Sequence, residues 1–237
     1  MSGTAIIRLD ELPSTMEAAH ARAAQGAVHG TTVVAAQQLS ARGTRGRFWS
    51  AGRGGLWLSM VARPSRTDAL ATLSLRVGLA LASLLERTLP SLPAVGVKWP
   101  NDLMIDGRKV AGILSEARWF GNVCQWVVVG LGLNVANSLP DALAQDATRL
   151  VDWVPSTSLE ALLPAVVGAM ADATREAGPL TIGELNAFAA RDFLTGRRVV
   201  EPITGTADGI TPAGALRVRS DAGPVREVLG GVVTTPG

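Results

Sequence analysis

The stretch from residue 119 to residue 140 carries no charged side chain, and it limits how this chain can fold more than any other segment. Its length is sufficient for a helix that crosses a membrane. Polar residues interrupt it, however, and such residues are rare in membrane spans. The interrupting residues are Asn122, Gln125, Asn134 and Asn137, together with glycines at 121, 130 and 132. We therefore predict a buried strand that runs into a glycine-rich turn, in a protein that does not span a membrane.

The composition is that of a globular protein from a reducing compartment. Of its 237 residues, 47% are hydrophobic and 18% are charged, which suits one large domain or one domain with a small appendage. Cys124 is the single cysteine, so an internal disulfide is excluded. The first residues lack the apolar core of a signal peptide, and the predicted location is therefore cytoplasmic. A formal net charge of +2 gives no reason to expect nucleic acid as a partner.

Apolar runs and turn signals divide the chain into strands and helices. Predicted strands cover residues 5–9, 31–37, 56–61, 95–99, 103–105, 109–116 and 125–133. The longest predicted helix covers 67–89, and three others begin at capping boxes formed by Ser14 with Glu17, Thr157 with Glu160 and Thr181 with Glu184. After Gly196, short β runs at 199–201, 215–219 and 225–229 alternate with turns. They predict a small all-β domain over 196–237 beside a larger domain over 1–195.

Three arginines and two glycines lie close together in the predicted loop at 40–55, namely Arg42, Gly43, Arg45, Gly46 and Arg47. Glycine lets a backbone approach a ligand, and arginine holds phosphate oxygens through two parallel hydrogen bonds. The pattern therefore indicates a flexible phosphate clamp. It is not a Walker A loop, because no Gly-Lys-Ser/Thr follows. A solvated basic loop or an RNA-binding patch has the same composition, so both interpretations stay open at this point.

Two motifs further along the chain place polar groups at the rim of the predicted sheet. In Lys98-Trp99-Pro100-Asn101-Asp102, an acid that follows a strand can hold Mg²⁺, although a β-turn also uses such residues to satisfy its own backbone. Lys109 begins an apolar strand, where a cation can neutralise a carboxylate or a phosphate, or protect a strand edge.

Gly130 and Gly132 flank Leu131 in a predicted strand, which indicates that something packs against bare backbone there. Asn134 follows and can hydrogen-bond a ligand. The third glycine and the next helix of a dinucleotide-binding motif are missing, so an NAD site is not expected. The sequence also has no Gly-x-Ser-x-Gly nucleophile motif, and its two histidines lack metal-ligand spacing. Chemistry that needs charge neutralisation and positioning, such as nucleotidyl transfer, fits these residues.

Taken in order, these segments resemble biotin protein ligases over about residues 5–233. The motif from Lys98 to Asp102, followed by Lys109-Val110-Ala111-Gly112-Ile113-Leu114, is highly specific. Residues 38–49 resemble the ligand loop of that family. Residues 130–134 resemble its Gly-x-Gly-x-Asn turn, and Ser14-Thr15 matches the first two residues of its Ser-Thr-Asn motif. The resemblance implies an α+β fold. Its parts are a mixed β-sheet flanked by helices, as in class II synthetase-like catalytic domains, and a small C-terminal SH3-like β-barrel.

The resemblance implies an enzyme that makes biotinyl-5′-AMP from biotin and ATP with Mg²⁺, and transfers biotin to a lysine of a biotin carboxyl carrier protein. Both reactants of the first step are anions, so the implied catalytic residues are the cations Lys109, Arg45 and Arg47. The implied substrate-binding residues are Ser14, Thr15, Met16, Gln38, Arg42, Gly43, Thr44, Trp49, Gly112, Gly130 and Gly132. The implied nucleotide-binding residues are Lys98, Asn101, Asp102 and Asn134, with Asp102 also as the metal ligand.

Three residues depart from the family pattern. Met16 replaces an asparagine, Ala41 replaces the first glycine of the ligand loop, and Thr44 replaces an arginine that helps hold the adenylate. Losing one charge-assisted contact costs about 1.5–3 kcal/mol, so we expect weaker retention of the adenylate unless Arg45 or Arg53 substitutes. Because the sequence begins at the catalytic domain, we expect no DNA-binding module and no repressor function. A monomer or a weak homodimer is expected.

Three other functions stay open on the sequence alone. A lipoate or octanoyl transferase of related fold is less favoured, because Ser14, Thr15 and Gln38 suit a polar ring. A non-catalytic paralogue that binds biotin or a partner protein is suggested by Thr44. An RNA-binding module built on the arginine loop would lack an aromatic platform for bases.

Overall fold

A seven-stranded sheet and four helices make up most of the computed structural model, which describes residues 5–221 and 223–235 and, of Arg45, only the backbone. The strands of this large sheet are β1 (Ile6–Leu12), β2 (Thr32–Gln38), β3 (Leu56–Ala62), β4 (Val95–Lys98), β5 (Asp102–Ile105), β6 (Arg108–Phe120) and β7 (Val123–Leu133). The helices are α1 (Thr15–Ala24), α2 (Thr72–Thr88), α3 (Leu159–Ala173) and α4 (Ile182–Ala189). A second sheet contains β8 (Arg198–Val199), β9 (Gly205–Ile210), β10 (Leu216–Ser220) and β11 (Val225–Val228).

The uncharged stretch supplies the central strand of the large sheet. The strand order is β1-β2-β3-β7-β6-β5-β4, which puts β7 in the middle. Only β1 and β2 pair in parallel, so the predicted mixed sheet is confirmed. Val127, Val128 and Val129 are buried, as expected for a strand that is covered on both faces. In the described part of the chain, no helix is long and apolar enough to cross a membrane.

The two faces of the sheet are covered unequally. Helices α2 and α3 pack together on one face, over a large apolar core that includes Met60, Val127 and Val129. Helix α1 packs on the opposite face, where Ala19 contacts the cluster around Val128. Because α1 is short, it covers only part of its face, and the rest is available for a pocket.

Two of the three predicted capping boxes are wrong. Helix α1 does begin after Ser14, but the Ser14 side chain makes no capping hydrogen bond. Helix α3 begins after Ser158, whose hydroxyl accepts from the Ala161 N–H, because the Thr157 hydroxyl instead donates to the Val154 carbonyl. The reciprocal box between Thr181 and Glu184 at the start of α4 is confirmed.

The lengths of several predicted elements also differ from the structure. Helix α2 begins at Thr72 rather than at residue 67, and β6 continues to Phe120 rather than ending at 116. The turn predicted between β5 and β6 is present, with positive φ angles of 48° at Asp106 and 76° at Gly107.

The C-terminal strands form an antiparallel sheet in the order β11-β10-β9-β8, which agrees with the predicted small β module. Strand β9 was not predicted, because its sequence Gly-Thr-Ala-Asp-Gly-Ile has few strand-forming residues. The module is joined to the large sheet through Trp99, whose indole N–H donates to the Gly214 carbonyl at 2.8 Å. The division of the chain at residue 195 stays a prediction.

We predict that Glu86 makes stability depend on pH in the acid range. Its carboxylate accepts from Arg191 Nη1 at 2.6 Å, from Arg191 Nη2 at 2.7 Å and from the Val95 N–H at 2.8 Å. Arg191 holds the pKa of Glu86 below its ordinary value of 4.5. Partial burial opposes this shift, and the hydrogen bond from the Val95 N–H adds to it. Because the pKa is lower in the folded state, the charged Glu86 stabilises the fold above pH 4.5, the ordinary pKa. This stabilisation is lost as the pH falls through the pKa of Glu86 in the folded protein. The substitution Glu86→Gln should therefore cost about 1.5–3 kcal/mol at neutral pH and much less in acid.

Urea unfolding at about pH 7 and about pH 3.5 measures this difference. Glu160→Gln is a suitable control, because the pair between Glu160 and Arg8 is exposed and should contribute little. An equal loss of stability at both pH values in Glu86→Gln would contradict the assignment.

Candidate functional site

A pocket of about 420 Å³ lies on the part of the sheet face that α1 leaves uncovered. That volume is within the usual range for small-molecule sites. Its walls come from the start of α1, the loop after β2, the turn at 98–102, strands β6 and β7, residues 139–147, and residues 231–233 beyond the small sheet. We call this cavity the main pocket.

The main pocket brings together the site residues that the sequence predicted. Of the predicted residues, those on its wall are Ser14, Thr15, Met16, Gln38, Arg42, Gly43, Thr44, Arg47, Trp49, Lys98, Asn101, Asp102, Lys109, Gly112, Gly130, Gly132 and Asn134. The side chain of Arg45 lies outside the described residues. Segments far apart in sequence therefore meet around one cavity.

Two glycines of β7 leave space for this pocket. A Cβ atom at Gly132 would lie 2.7 Å from the indole of Trp49, and one at Gly130 would lie 2.9 Å from the Met16 methyl carbon. Both distances are shorter than side chains tolerate, so Trp49 and Met16 lie directly against bare backbone. Trp57 supports Trp49 from the side, in an edge-to-face contact with ring centroids 6.5 Å apart.

One end of the main pocket is a polar recess formed by Ser14, Thr15, Gln38 and Ser59. The Gln38 side-chain oxygen accepts from the Thr15 N–H at 2.7 Å and from the Thr15 hydroxyl at 3.0 Å. The Thr15 and Ser59 hydroxyls are 2.8 Å apart. Because the Thr15 N–H can donate only to the oxygen of the Gln38 amide, this network fixes the orientation of that amide. The Gln38 NH₂ group then faces away from Thr15 and is available as a donor. The Ser14 hydroxyl, which does not cap α1, is a second polar group at this end.

Lys109 occupies the middle of the main pocket. Its Nζ lies 2.6 Å from Asp102 Oδ1 and 5.0 Å from the centroid of the Trp49 ring. No donor reaches Asp102 Oδ1 with hydrogen-bond geometry among the described residues, so the pair is held by charge. The backbone of Lys109 is fixed on both sides, since its N–H donates to the Asp146 carbonyl and its carbonyl accepts from the Thr148 N–H. The ammonium is therefore held in place before any ligand binds.

A second lysine adds positive charge beside Lys109. Burial lowers the pKa of the Lys98 amine below its ordinary value of 10.5; the charge of Asp102 opposes this shift, and the charge of Lys109 adds to it. Asp102 and Asp146 are the acidic residues on the wall. The middle of the main pocket is thus suited to a ligand that carries negative charge.

The arginines of the loop at 40–55 each have a protein partner wherever their side chains are described. Arg42 Nη2 lies 3.2 Å from Glu17 Oε1, and Arg47 Nη2 donates to the Thr44 hydroxyl at 3.1 Å. Arg53 forms a two-pronged pair with Asp10 at 2.7 and 2.8 Å and is not on the main-pocket wall. Substitution of the arginine missing at position 44 by Arg53 would require Arg53 to leave Asp10, and it stays a prediction.

The polar residues of the main pocket do not form a dedicated metal cage. No group of three His, Cys, Asp or Glu side chains that could hold a metal ion occurs in the part of the chain that the structure describes. Mg²⁺ commonly takes one or two protein carboxylates and completes its shell with water and phosphate oxygens. Asp102 fits that mode through its other oxygen, Oδ2, because it is an acid on the pocket wall whose Oδ1 is engaged by Lys109 Nζ at 2.6 Å.

Comparison with known proteins identifies the family. The model of the biotin/lipoate A/B protein ligase family matches residues 9–134, which is more than half of the chain. The chain belongs to this family. The match runs from Leu9, within β1, to Asn134, and so includes the polar recess, Lys109 and both glycines of β7.

Several family members are similar over different lengths. The biotin–[acetyl-CoA-carboxylase] ligase of Paracoccus denitrificans is 35% identical over 84% of this chain and 90% of its own length. The bifunctional ligase/repressor BirA of Bacillus subtilis is 35% identical over 62% of this chain and 46% of its own length. The chain thus spans about half the length of the first curated relatives it matches. The biotin protein ligase from Aquifex aeolicus in complex with biotin and ATP has a TM-score of 0.82, with 25% identity and 98% of each chain covered.

Sequence reasoning missed several parts of the pocket wall. Ser59 lies inside β3 and gave no sequence signal, since a serine in an apolar strand has many explanations. The apolar wall formed by Leu139, Pro140 and Leu143, and the segment 231–233, reach the pocket only through tertiary folding.

We predict that alanine is tolerated at Gly130 better than at Gly132. A new Cβ at Gly130 meets the flexible end of Met16, whereas one at Gly132 meets the indole of Trp49, a rigid ring supported by Trp57. Overpacking of this kind costs about 1–3 kcal/mol. Urea unfolding should therefore show a larger loss of free energy for Gly132→Ala, and the double change Gly132→Ala with Trp49→Leu should recover part of it. Equal losses at the two glycines would contradict this account of the wall.

Proposed function

We propose that this protein is a biotin protein ligase, which activates biotin with ATP and attaches it to a lysine of an acceptor protein. The observation that carries the proposal is Lys109, paired with Asp102 on the wall of a cavity that also contains the polar recess and Asn134. A carboxylate whose ring lies in the recess would meet this ammonium, with a nucleotide on its other side. The Paracoccus denitrificans relative, similar over nearly its full length, is named as a ligase of this kind.

The polar recess favours biotin over lipoate as the substrate. The ureido ring of biotin has a carbonyl acceptor and two N–H donors, which match the Gln38 NH₂ group and the Ser14 and Thr15 hydroxyls. The dithiolane ring of lipoate offers none of these groups and would leave buried donors unpaired. An unpaired buried polar group costs about 1–3 kcal/mol. The lipoate alternative is therefore not favoured.

The first step joins two anions, so the protein must supply positive charge. An oxygen of the biotin carboxylate attacks the α-phosphorus of ATP, the bond to the bridging oxygen breaks, and pyrophosphate leaves with the electron pair. Lys109 offsets the repulsion and stabilises the charge on the attacking and equatorial oxygens. We assign Arg42, Arg45 and Arg47 to the phosphates, which would exchange the Arg42 contact with Glu17 for a phosphate contact.

Asp102 is the residue that we assign to Mg²⁺. A magnesium ion bound with ATP supplies Lewis-acid stabilisation of the phosphate oxygens. Asp102 would bind the metal and also holds Lys109. Asn101 Nδ2 donates to the Ile113 carbonyl at 2.7 Å and so fixes the turn at 98–102. Asn134, also on the pocket wall, would contact the nucleotide.

In the second step, a neutral lysine amine of the acceptor attacks the acyl carbon of biotinyl-5′-AMP. The new C–N bond replaces the bond from carbon to the phosphate oxygen, AMP leaves with the electron pair, and the amine proton passes to solvent. We infer that the acceptor is a biotin carboxyl carrier protein domain, consistent with the acetyl-CoA-carboxylase in the names of two relatives. We also infer a cytoplasmic protein that acts as a monomer or weak homodimer.

The test of the function is biotin-dependent exchange of pyrophosphate into ATP by the purified protein, which reports the first step alone. We predict that Lys109→Gln lowers the exchange rate by about 10²- to 10³-fold, since removing one preorganised electrostatic contact in an active site typically has that effect. Lys109→Arg, which keeps the charge, should retain more activity than Lys109→Gln.

Arg108→Gln is the matched control. Arg108 is adjacent in sequence, but its guanidinium lies over the Trp153 ring at 5.4 Å and is not on the main-pocket wall. Exchange in this variant should stay close to that of the unmodified protein. Undiminished exchange in Lys109→Gln, or exchange with lipoate but not biotin, would overturn the proposal.

We predict that the adenylate leaves this protein faster than it would with arginine at position 44. Thr44 offers a hydroxyl that already accepts from Arg47, and Arg53 is engaged by Asp10. Adding an arginine should restore one charge-assisted contact of about 1.5–3 kcal/mol, or about ten- to hundred-fold in residence time. The measurement is the release of radiolabelled biotinyl-5′-AMP from protein with Thr44→Arg.

Ser40→Arg is the control for added charge, because Ser40 is an exposed residue of the same loop and is not on the main-pocket wall. Its release rate should match that of the unmodified protein. If the unmodified protein already retains the adenylate as long as the Thr44→Arg variant does, position 44 has no part in retention.

A further inference from the structure

One arginine holds the end of helix α1 that lies away from the main pocket. Arg63, the residue after β3, donates from Nε to the Ala27 carbonyl at 3.0 Å and from Nη2 to the Ala23 carbonyl at 2.9 Å. Its Nη1 donates to the Gln125 carbonyl of β7 at 3.0 Å. All three nitrogens of the guanidinium are thus bonded to backbone, and they join the last turn of α1 and the loop after it to the sheet.

Two histidines extend this attachment. The Arg63 N–H donates to His29 Nδ1 at 3.1 Å, so the proton of the neutral ring is on Nε2, which donates to the Ala171 carbonyl of α3 at 2.8 Å. In the middle of α1, His20 Nδ1 accepts from the Trp126 indole N–H at 3.0 Å. The Arg63 guanidinium lies over the same indole, 5.9 Å from the ring centroid. The contacts around Arg63 therefore reach both the middle and the end of α1.

Apolar packing alone gives α1 little hold on the sheet. The helix has 10 residues, and helices of that length are marginal in water unless tertiary contacts stabilise them. Its buried side chains are Thr15, Ala19 and Ala23, and each alanine contributes only one methyl group. Because the hydrophobic contribution scales with the apolar area that is buried, polar attachments are needed to fix where this helix lies.

The other end of α1 forms part of the main-pocket wall. Thr15 donates from its N–H and its hydroxyl to Gln38, and the Met16 methyl lies against Gly130. A helix rises about 1.5 Å per residue, so Ala23 lies about 12 Å along the axis from Thr15. The hydrogen bonds within the helix make it move largely as one body, and a shift at its last turn therefore displaces Thr15 and Met16 as well.

Resting on the proposed function, we infer that Arg63 is a positioning residue for biotin. It is not on the wall of the main pocket and acts through α1, by holding Thr15 and Met16 where the ring of the substrate binds. The residues assigned to the nucleotide and the metal, such as Asn101 and Asp102, belong to the turn at 98–102 instead. Loss of Arg63 should therefore weaken the binding of biotin and leave the binding of ATP unchanged.

A purely structural role makes a different prediction. An arginine that only stabilises the fold would change the free energy of unfolding, and the kinetics of the folded protein with both substrates would be unaffected. A variant that loses the binding of one substrate instead raises the KM for that substrate while kcat is unchanged. Biotin and ATP react in the same first step, so both constants can be compared within one assay.

The test measures biotin-dependent exchange of pyrophosphate into ATP with Arg63→Gln. We expect the KM for biotin to rise by about ten-fold, while kcat at saturating biotin and the KM for ATP stay within about two-fold. Calorimetric titration with biotin alone should show the same loss of affinity. Arg63→Lys keeps the charge and can keep one hydrogen bond, so its loss should be smaller, and it carries the test if Arg63→Gln does not fold.

Two control variants separate the position of α1 from charge and from stability. Arg22→Gln removes the same charge from the last turn of α1, where Arg22 is exposed. Glu86→Gln removes a stabilising pair on α2, which lies on the other face of the sheet. Both variants should bind biotin as the unmodified protein does.

An unchanged affinity for biotin in Arg63→Gln and Arg63→Lys would overturn the inference. So would an equal rise in the KM values for biotin and ATP, or the same loss of affinity for biotin in either control. Absence of exchange in the unmodified protein would instead overturn the proposed function, and the titration with biotin alone would then decide the role of Arg63.

Discussion

Bare backbone in the middle of the large sheet is the constraint on which the rest of the site depends. Strand β7 must be buried on both faces, yet Gly130 and Gly132 present no side chain on the face that α1 only partly covers. Met16 and Trp49 approach that backbone and leave a cavity between them. A larger residue at either position would meet one of these side chains, so the packing of the sheet and the shape of the main pocket cannot vary independently.

The positive charge of the main pocket is arranged in two ways. Lys109 is fixed by hydrogen bonds from its own backbone and by Asp102, so its ammonium is in place without ligand. The described arginine side chains of the loop instead have exposed partners such as Glu17, and exposed pairs are weak. A phosphate can therefore displace those partners at little cost. The fixed cation is suited to the reacting atoms of the proposed reaction, and the exchangeable cations are suited to phosphates that arrive with a substrate.

Sequence reasoning located the residues that lie in motifs and missed those brought in by tertiary folding. Lys98 to Asp102 and Lys109 are close in sequence, so the hairpin of β5 and β6 necessarily brings them together. Ser59 belongs to the site because its hydroxyl contacts Thr15, which is 44 positions away in sequence, and no local pattern indicates this contact. Ser14 shows the limit of a local rule. Its sequence context predicts a helix cap, but the Ser14 hydroxyl does not cap α1, and the adjacent Thr15 N–H donates to Gln38 instead. Strand β9 forms through pairing with β10 despite its unfavourable composition.

The two chemical steps of the proposed reaction need different electrostatic surroundings. Joining a carboxylate to a phosphate needs cations, which the main pocket has in Lys98 and Lys109. An acceptor lysine can attack only as an uncharged amine. Lys98 and Lys109 have one effect on the protonation of that amine, and water has the opposite effect. Repulsion from the cations favours the neutral amine, whereas water stabilises the ammonium. If the pocket excludes water while Lys98 and Lys109 stay in place, both effects favour the reactive form at the acyl carbon.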